Sequence, residues 1–319
     1  MSVDGRRFRF APTPSRPLHV GSALAALLGW SVARAAEGTF VLRIEDIDQA
    51  RCRPEHEASV LSDLSWLGLD WDEGPDVGGP LGSYRQSDRL QLYDEALQDL
   101  LEGDAGYICG CSRADVRQAQ RAPTTEDERV ALPYPGTCRG IEPLRDYTSD
   151  RGGLRLHVER SGDQAVVRWR DPWDGGGQED VRQTCGDFLL GRPGAPTYQL
   201  AVVVDDIAMK ITDVVRGSDL CGSTARQLLL FRALSASPPC FAHHPLLLDP
   251  LTGHKLSKRD GASTLASLRH QGERPNRLIA RMGVAIGLFS EDVLSATPMD
   301  VRDALVEREP RWHDAPWRH

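Results

Sequence analysis

The residues with the most chemistry fall in three clusters. Near the start of the chain, PTPSRPLHVGS sets His19 and Gly21 where a helix could begin, with Ser22 as a candidate cap. Free N–H groups and the positive dipole end of a helix start suit a phosphate. A glycine lets a nucleotide approach the backbone, and an imidazole donor can stabilise charge on a transferring phosphate. Far along the chain, HKLSKRDG carries Lys255, Lys258 and Arg259, flanked by Gly253 and Gly261. Clustered cations on a loop can neutralise a triphosphate as it becomes pyrophosphate. Alone, each motif reads more simply as an ordinary helix start or a solvated basic loop. Together, near opposite ends of an α/β chain, they are much more specific. The third cluster is Cys109-Gly110-Cys111 with Cys138 further on. A structural zinc site needs four ligands. Spacing supplies three thiols and leaves a fourth ligand open, with three buried free thiols as the alternative.

The elements that must position these groups follow from pattern. Arg7 to Ala11 is short and partly apolar, and Pro12, Pro14 and Pro17 then punctuate a loop. The run SALAALLGWSVARAA reads as a helix with Gly38 beyond its end. TFVLRI is the nearly continuous apolar run of a buried parallel strand, and it stops in the acidic stretch Glu45-Asp46-Ile47-Asp48. Charged groups just past a strand end in a βαβ unit mark where ligands sit in open α/β sheets. Helices are expected around Glu55 to Leu67, Ser87 to Leu101 and Ser223 to Leu234, and a strand in YQLAVVVDD. From Gly103 to about Gly194 the composition shifts to cysteine, arginine and glycine, as in an insertion between two halves of a sheet.

Bulk properties narrow the class. The 319 residues are 40% hydrophobic, ample for a buried core. No apolar run approaches the roughly eighteen residues of a membrane span, and no apolar segment follows the basic N-terminal residues as in a secretory leader. A cytoplasmic location is expected. The net charge of −8 is unlike that of a freely sliding nucleic-acid binder, although it leaves room for a local basic surface. Seven unevenly spaced cysteines argue for free thiols and a metal site over a disulfide framework. Cys52, Cys185, Cys221 and Cys240 have no partner spacing, and His243-His244 reads as packing.

His19-Val20-Gly21-Ser22 and Lys255-Leu256-Ser257-Lys258-Arg259 resemble the HIGH and KMSKS signatures of class I aminoacyl-tRNA synthetases. FAPTPSRPLHVGSALAALLGW, LRIEDIDQAR, GLDWDEGPDVGGPLGSYRQSDRLQLY and YQLAVVVDDIAMKITDVVRGSDL resemble the glutamyl-tRNA synthetase catalytic domain, so the resemblance covers about residues 6 to 290. It implies an α/β fold, a Rossmann-like parallel sheet split by an inserted connective zinc-binding domain. The expected division is 6–102 for the first catalytic half and 103–194 for the insertion. The second half with the KMSKS-type loop follows at 195–265, and a helical C-terminal segment at 266–319.

The resemblance also implies roles. His19, Lys255 and Lys258 would be catalytic, and His19, Gly21, Ser22 and Lys258 would bind ATP, used with Mg²⁺. Glutamate would be held by Arg9, Phe10, Ala11, Pro12 and Thr13, together with Glu45, Tyr198 and Arg216. Glu45 suits the ammonium, and the arginines and the Tyr198 hydroxyl suit carboxylates. Without the resemblance, a structural ion pair of Arg216 with Glu45 would be the simpler reading. Val202 stands where many glutamyl-tRNA synthetases carry asparagine. Only about sixty residues follow Arg259, which resembles the short paralogue acting on queuosine in tRNA(Asp). That paralogue implies one structural Zn²⁺ held by Cys109, Cys111, Tyr134 and Cys138. The expected reaction is tRNA-independent activation of L-glutamate, then transfer to queuosine in the anticodon loop of tRNA(Asp), by a monomer with no membrane partner. The alternatives are a truncated glutamyl-tRNA synthetase charging the 3′ end of tRNA(Glu), a non-catalytic tRNA-binding paralogue, and a more remote nucleotidyltransferase.

Overall fold

In the computed structural model, residues 5–112, 114–116, 133–141, 152–248, 264–307 and 315–316 are described. Lys255, Lys258 and Arg259 lie outside them. Four parallel strands form the central sheet, in the order Cys240–His244, Asp213–Gly217, Arg7–Phe10, Thr39–Leu42. From Arg7–Phe10 the chain crosses through the helix Val20–Ala35 to the strand on one side. From Asp213–Gly217 it crosses through the helix Cys221–Ala233 to the strand on the other. The order thus reverses between Arg7–Phe10 and Asp213–Gly217, and a cleft opens at the carboxyl ends of these strands.

Alternation along RFRF explains how the first strand serves two cores. Side chains two apart share a face of a strand. Phe8 and Phe10 join the core built on the helix Val20–Ala35 and the C-terminal helices Pro275–Ala285 and Pro298–Glu307. Arg7 and Arg9 point to the opposite face, where Arg7 meets Glu73 with two bonds of 2.8 and 2.7 Å. That face carries a second core from the helices Leu90–Glu102, Tyr198–Ala208 and Cys221–Ala233.

Between Leu90–Glu102 and Tyr198–Ala208 lies an antiparallel sheet of Gly106–Cys109, Gly153–Leu156, Leu189–Arg192 and Ala195–Pro196. A separate hairpin pairs Val166–Trp169 with Gly177–Asp180.

Two expectations are corrected. YQLAVVVDD is not a strand but the helix Tyr198–Ala208. Its residues Leu200 to Asp206 are all buried, so the apolar run reflects a helix enclosed on every side, and packing overrides the β-propensity of three valines. The strands on this half are Asp213–Gly217 and Cys240–His244 instead. The cap of the first helix is His19, not Ser22: the His19 ring accepts from the Ser22 backbone N–H. Among the described residues no helix is long and apolar enough to cross a membrane.

Candidate active site

At the switch point, one cavity of about 330 Å³ gathers the residues predicted for glutamate and ATP that lie within the described part of the chain. Arg9, Phe10, Ala11, Pro12 and Thr13 line it from the end of the first strand and the loop after it. His19, Gly21 and Ser22 line it from the start of the first helix, and Glu45, Tyr198 and Arg216 from three further elements. Val202 does not line it; it is buried in the second core.

The helix start is built around the His19 ring. Its Nδ1 lies 3.2 Å from the Ser22 backbone nitrogen and its Nε2 3.2 Å from Ser22 Oγ. A Cβ on Gly21 would stand 3.1 Å from the ring, so glycine keeps this arrangement uncrowded. His19 also bridges to Thr264, while Leu246 and Leu247 line the same cavity. The two flanks of the basic loop therefore converge on the cleft.

Behind the cavity lies a buried ionic network. Arg43, wholly buried, donates from Nη1 to Asp206 Oδ1 at 2.7 Å and from Nη2 to Glu45 Oε1 at 3.2 Å. Its Nε lies 3.6 Å from Asp205, which also receives Arg89, Gln86 and Tyr93. Arg9 reaches Asp206 at 3.3 and 3.4 Å. Three arginines thus face three carboxylates. Burial works against the Arg43 charge, but Asp206, Asp205 and Glu45 outweigh it and hold the guanidinium above its usual range. Burial likewise pushes Asp206 up, and Arg9 and Arg43 more than reverse it. For Glu45 burial wins, and its carboxyl sits above the ordinary range despite Arg43 and Arg9.

Arg216 is set differently. Among the described residues it forms no ion pair, so the pairing with Glu45 that sequence alone favours does not occur; Glu45 is held by Arg43. Arg216 Nε donates to His243 Nε2 at 2.9 Å, Nη1 to Gln227 Oε1 at 2.6 Å and Nη2 to Thr224 Oγ1 at 2.8 Å. The Phe241 ring lies 4.5 Å from its guanidinium carbon. None of these partners is a carboxylate. Burial therefore pushes the Arg216 pKa down to about 10. Among the described residues three of its five N–H donors are taken.

The sequence reading missed Arg43, Asp205, Asp206 and the Arg216 cradle. Arg43 carried one usable signal: it lies two residues before Glu45, the spacing that puts two side chains on one face of an extended chain. His243, read as packing, is instead a bonded partner of Arg216.

The three cysteines meet. Their Sγ atoms lie within 4.8 Å of one another, with Cys111 and Cys138 3.5 Å apart. Tyr134 Oη stands 3.3 Å from Cys109 Sγ and 3.6 Å from Cys111 Sγ. Zinc–sulfur bonds of about 2.3 Å give a tetrahedral edge of about 3.8 Å, close to these separations. The four donors fit a tetrahedral metal.

The family of tRNA synthetases class I (E and Q), catalytic domain, matches residues 6–292. The chain belongs to this family, and it is an ATP-dependent ligase of the aminoacyl-tRNA synthetase type. It is similar to the glutamyl-Q tRNA(Asp) synthetase of Symbiobacterium thermophilum, at 45% identity over 95% of this chain and 94% of that one. The glutamyl-Q tRNA(Asp) synthetase of Nitratidesulfovibrio vulgaris is 42% identical over 92% of this chain and 90% of its own. The glutamate–tRNA ligase of S. thermophilum is 41% identical, but the match spans 57% of it. The crystal structure of glutamate-tRNA synthetase from Elizabethkingia anophelis superposes with a TM-score of 0.81 at 28% identity, over 99% of this chain and 68% of that one.

Proposed function

We propose that this enzyme activates L-glutamate with ATP, without tRNA, and transfers the glutamyl group to queuosine in the anticodon loop of tRNA(Asp). The observation that carries the glutamate reading is Arg216, a buried cation with neutral partners on the same cavity as the buried Glu45. A ligand with a carboxylate and an ammonium satisfies both. Arg9, Thr13 and the Tyr198 hydroxyl offer further contacts, and His19, Gly21 and Ser22 receive the phosphates of ATP, which enters with Mg²⁺. Lys255 and Lys258 steady the charge of the leaving pyrophosphate. A glutamate carboxylate oxygen attacks the α-phosphorus, the bond to the β-phosphate oxygen breaks, and pyrophosphate departs. A queuosine hydroxyl then attacks the glutamyl carbonyl, loses its proton and expels AMP. Positioning and charge stabilisation supply the rate.

Cys109, Cys111, Tyr134 and Cys138 would hold one structural Zn²⁺, which contributes folding energy to the insertion. In this reading residues 103–194 form the connective domain between catalytic halves 6–102 and 195–265, followed by the helical segment 266–319. Cys138→Ser should abolish the zinc that elemental analysis finds in the purified wild type, and a wild type without zinc would defeat this assignment.

The acceptor reading is supported by the relatives called glutamyl-Q tRNA(Asp) synthetase, which match over nine-tenths or more of both chains. RNA recognition favours unstacked loop bases, and the queuosine diol resembles the ribose diol of a 3′ end. The test has two stages. Glutamate-dependent ATP–pyrophosphate exchange should proceed without tRNA. Labelled glutamate should then load tRNA(Asp) only when queuosine is present, with the label in the anticodon fragment after nuclease digestion. Label on the terminal adenosine would instead favour charging of a 3′ end.

A further inference from the structure

Arg216 is held from a distance of sequence that its own strand does not explain. His243 lies directly opposite it on the neighbouring parallel strand, so both side chains emerge on one face. Behind His243 stands Asp171, at the turn of the hairpin Val166–Asp180 and buried. Its Oδ2 lies 2.5 Å from His243 Nδ1 and accepts the His243 backbone N–H at 3.0 Å. Its Oδ1 accepts the backbone N–H groups of Trp173 and Asp174 at 2.8 and 3.0 Å. A carboxylate with donors on both oxygens stays ionised, and burial pushes it up less than His243 and these N–H groups pull it down.

The hydrogens then have one consistent arrangement. An ionised Asp171 accepts a hydrogen bond from the His243 Nδ1–H, so the proton stays on Nδ1 and the lone pair is on Nε2. That lone pair faces Arg216 Nε at 2.9 Å and Thr224 Oγ1 at 3.3 Å. The Thr224 hydroxyl accepts from Arg216 Nη2 and is free to donate to the imidazole. In the other tautomer an N–H would point at the Arg216 N–H, donor against donor.

We propose that Asp171 and His243 are positioning residues for Arg216: the carboxylate fixes the imidazole tautomer, and the imidazole aims the guanidinium at the ligand carboxylate. The relay rests on the reading of the cavity as a glutamate site. It also ties the hairpin of the inserted region to the amino-acid pocket, because Asp171 belongs to one and Arg216 to the other.

Asp171→Asn is the primary test. An amide can donate to Nδ1 and so favour the wrong tautomer, as known for carboxylates that orient a histidine. The KM for glutamate in ATP–pyrophosphate exchange should rise about ten- to a hundredfold, the range for an outer partner that orients a binding group. The KM for ATP and the zinc content should not change. His243→Gln, which keeps an acceptor near Arg216 and breaks the link to Asp171, should give a smaller rise; it serves as the test if Asp171→Asn does not fold. Nitrogen chemical shifts of labelled wild-type His243 should show the proton on Nδ1. An unchanged glutamate KM in a folded variant, an equal rise in both KM values, or a proton on Nε2 in the wild type would overturn the relay. The nitrogen shifts need no substrate, so they test the relay even where glutamate proves to be the wrong ligand.

Discussion

Arg43 and Arg216 are the same residue type and both buried, Arg43 behind the cavity and Arg216 on its wall, and their surroundings are opposite. Arg43 sits among Asp206, Asp205 and Glu45, which hold its charge firmly. Arg216 sits among His243, Gln227, Thr224 and Phe241, none of which is a carboxylate, and burial drives its pKa down to about 10. A buried ion whose partners are all in place is part of the scaffold. A buried ion held by acceptors that are not carboxylates is oriented without being neutralised, the basis on which we propose that a ligand supplies the anion.

Replacing each arginine should break this contrast in opposite ways. Arg43→Met leaves Asp206, Asp205 and Glu45 short of a cation, and removing one partner of a buried network costs about 3–5 kcal/mol. Urea denaturation should show that loss, and a stability equal to wild type would remove the scaffold role. Arg216→Met should leave stability unchanged or raise it, since the cation it removes is uncompensated in the free protein. The same variant should lose about a hundredfold or more in glutamate-dependent kcat/KM, the scale for losing a preorganised charge-stabilising group. Destabilisation without a kinetic defect would reverse the assignment.

The smallest expected effect sharpens the comparison from the acid side. Asp206 is held below the ordinary carboxylate range, so the unfolded chain binds more protons than the native one as the pH drops. Its contribution is full above the unfolded value near 4 and is lost as the pH falls through its lower folded value. Glu45, held above the range, acts oppositely: its burial penalty at neutral pH is relieved on acidification. Asp206→Asn should therefore flatten the acid limb of a stability–pH curve, whereas Gln227→Leu, beside Arg216, should leave that limb unchanged. Parallel acid limbs in wild type and Asp206→Asn would show that the carboxylate is not ionised in the folded network.

The local chemistry of the site was legible early because short motifs dictate it. The proline-rich loop and His19-Val20-Gly21-Ser22 mark a helix start, TFVL a buried strand, and Arg9, Glu45, Tyr198 and Arg216, grouped by the family resemblance and not by their types alone, meet on one cavity. Helix identity in YQLAVVVDD was not legible, because a short run buried on all sides carries no periodicity that separates helix from strand. The partners of the charges were hidden for a related reason. Asp206 meets Arg9 across 197 positions, and Asp171 meets His243 across 72. Residue type and spacing determine which groups are present and which face of an element they take. Which of them neutralise one another depends on distances set when the sheet and its crossovers close, and the folded chain alone decides that, among the described residues, Arg43 has an ionic partner and Arg216 has none.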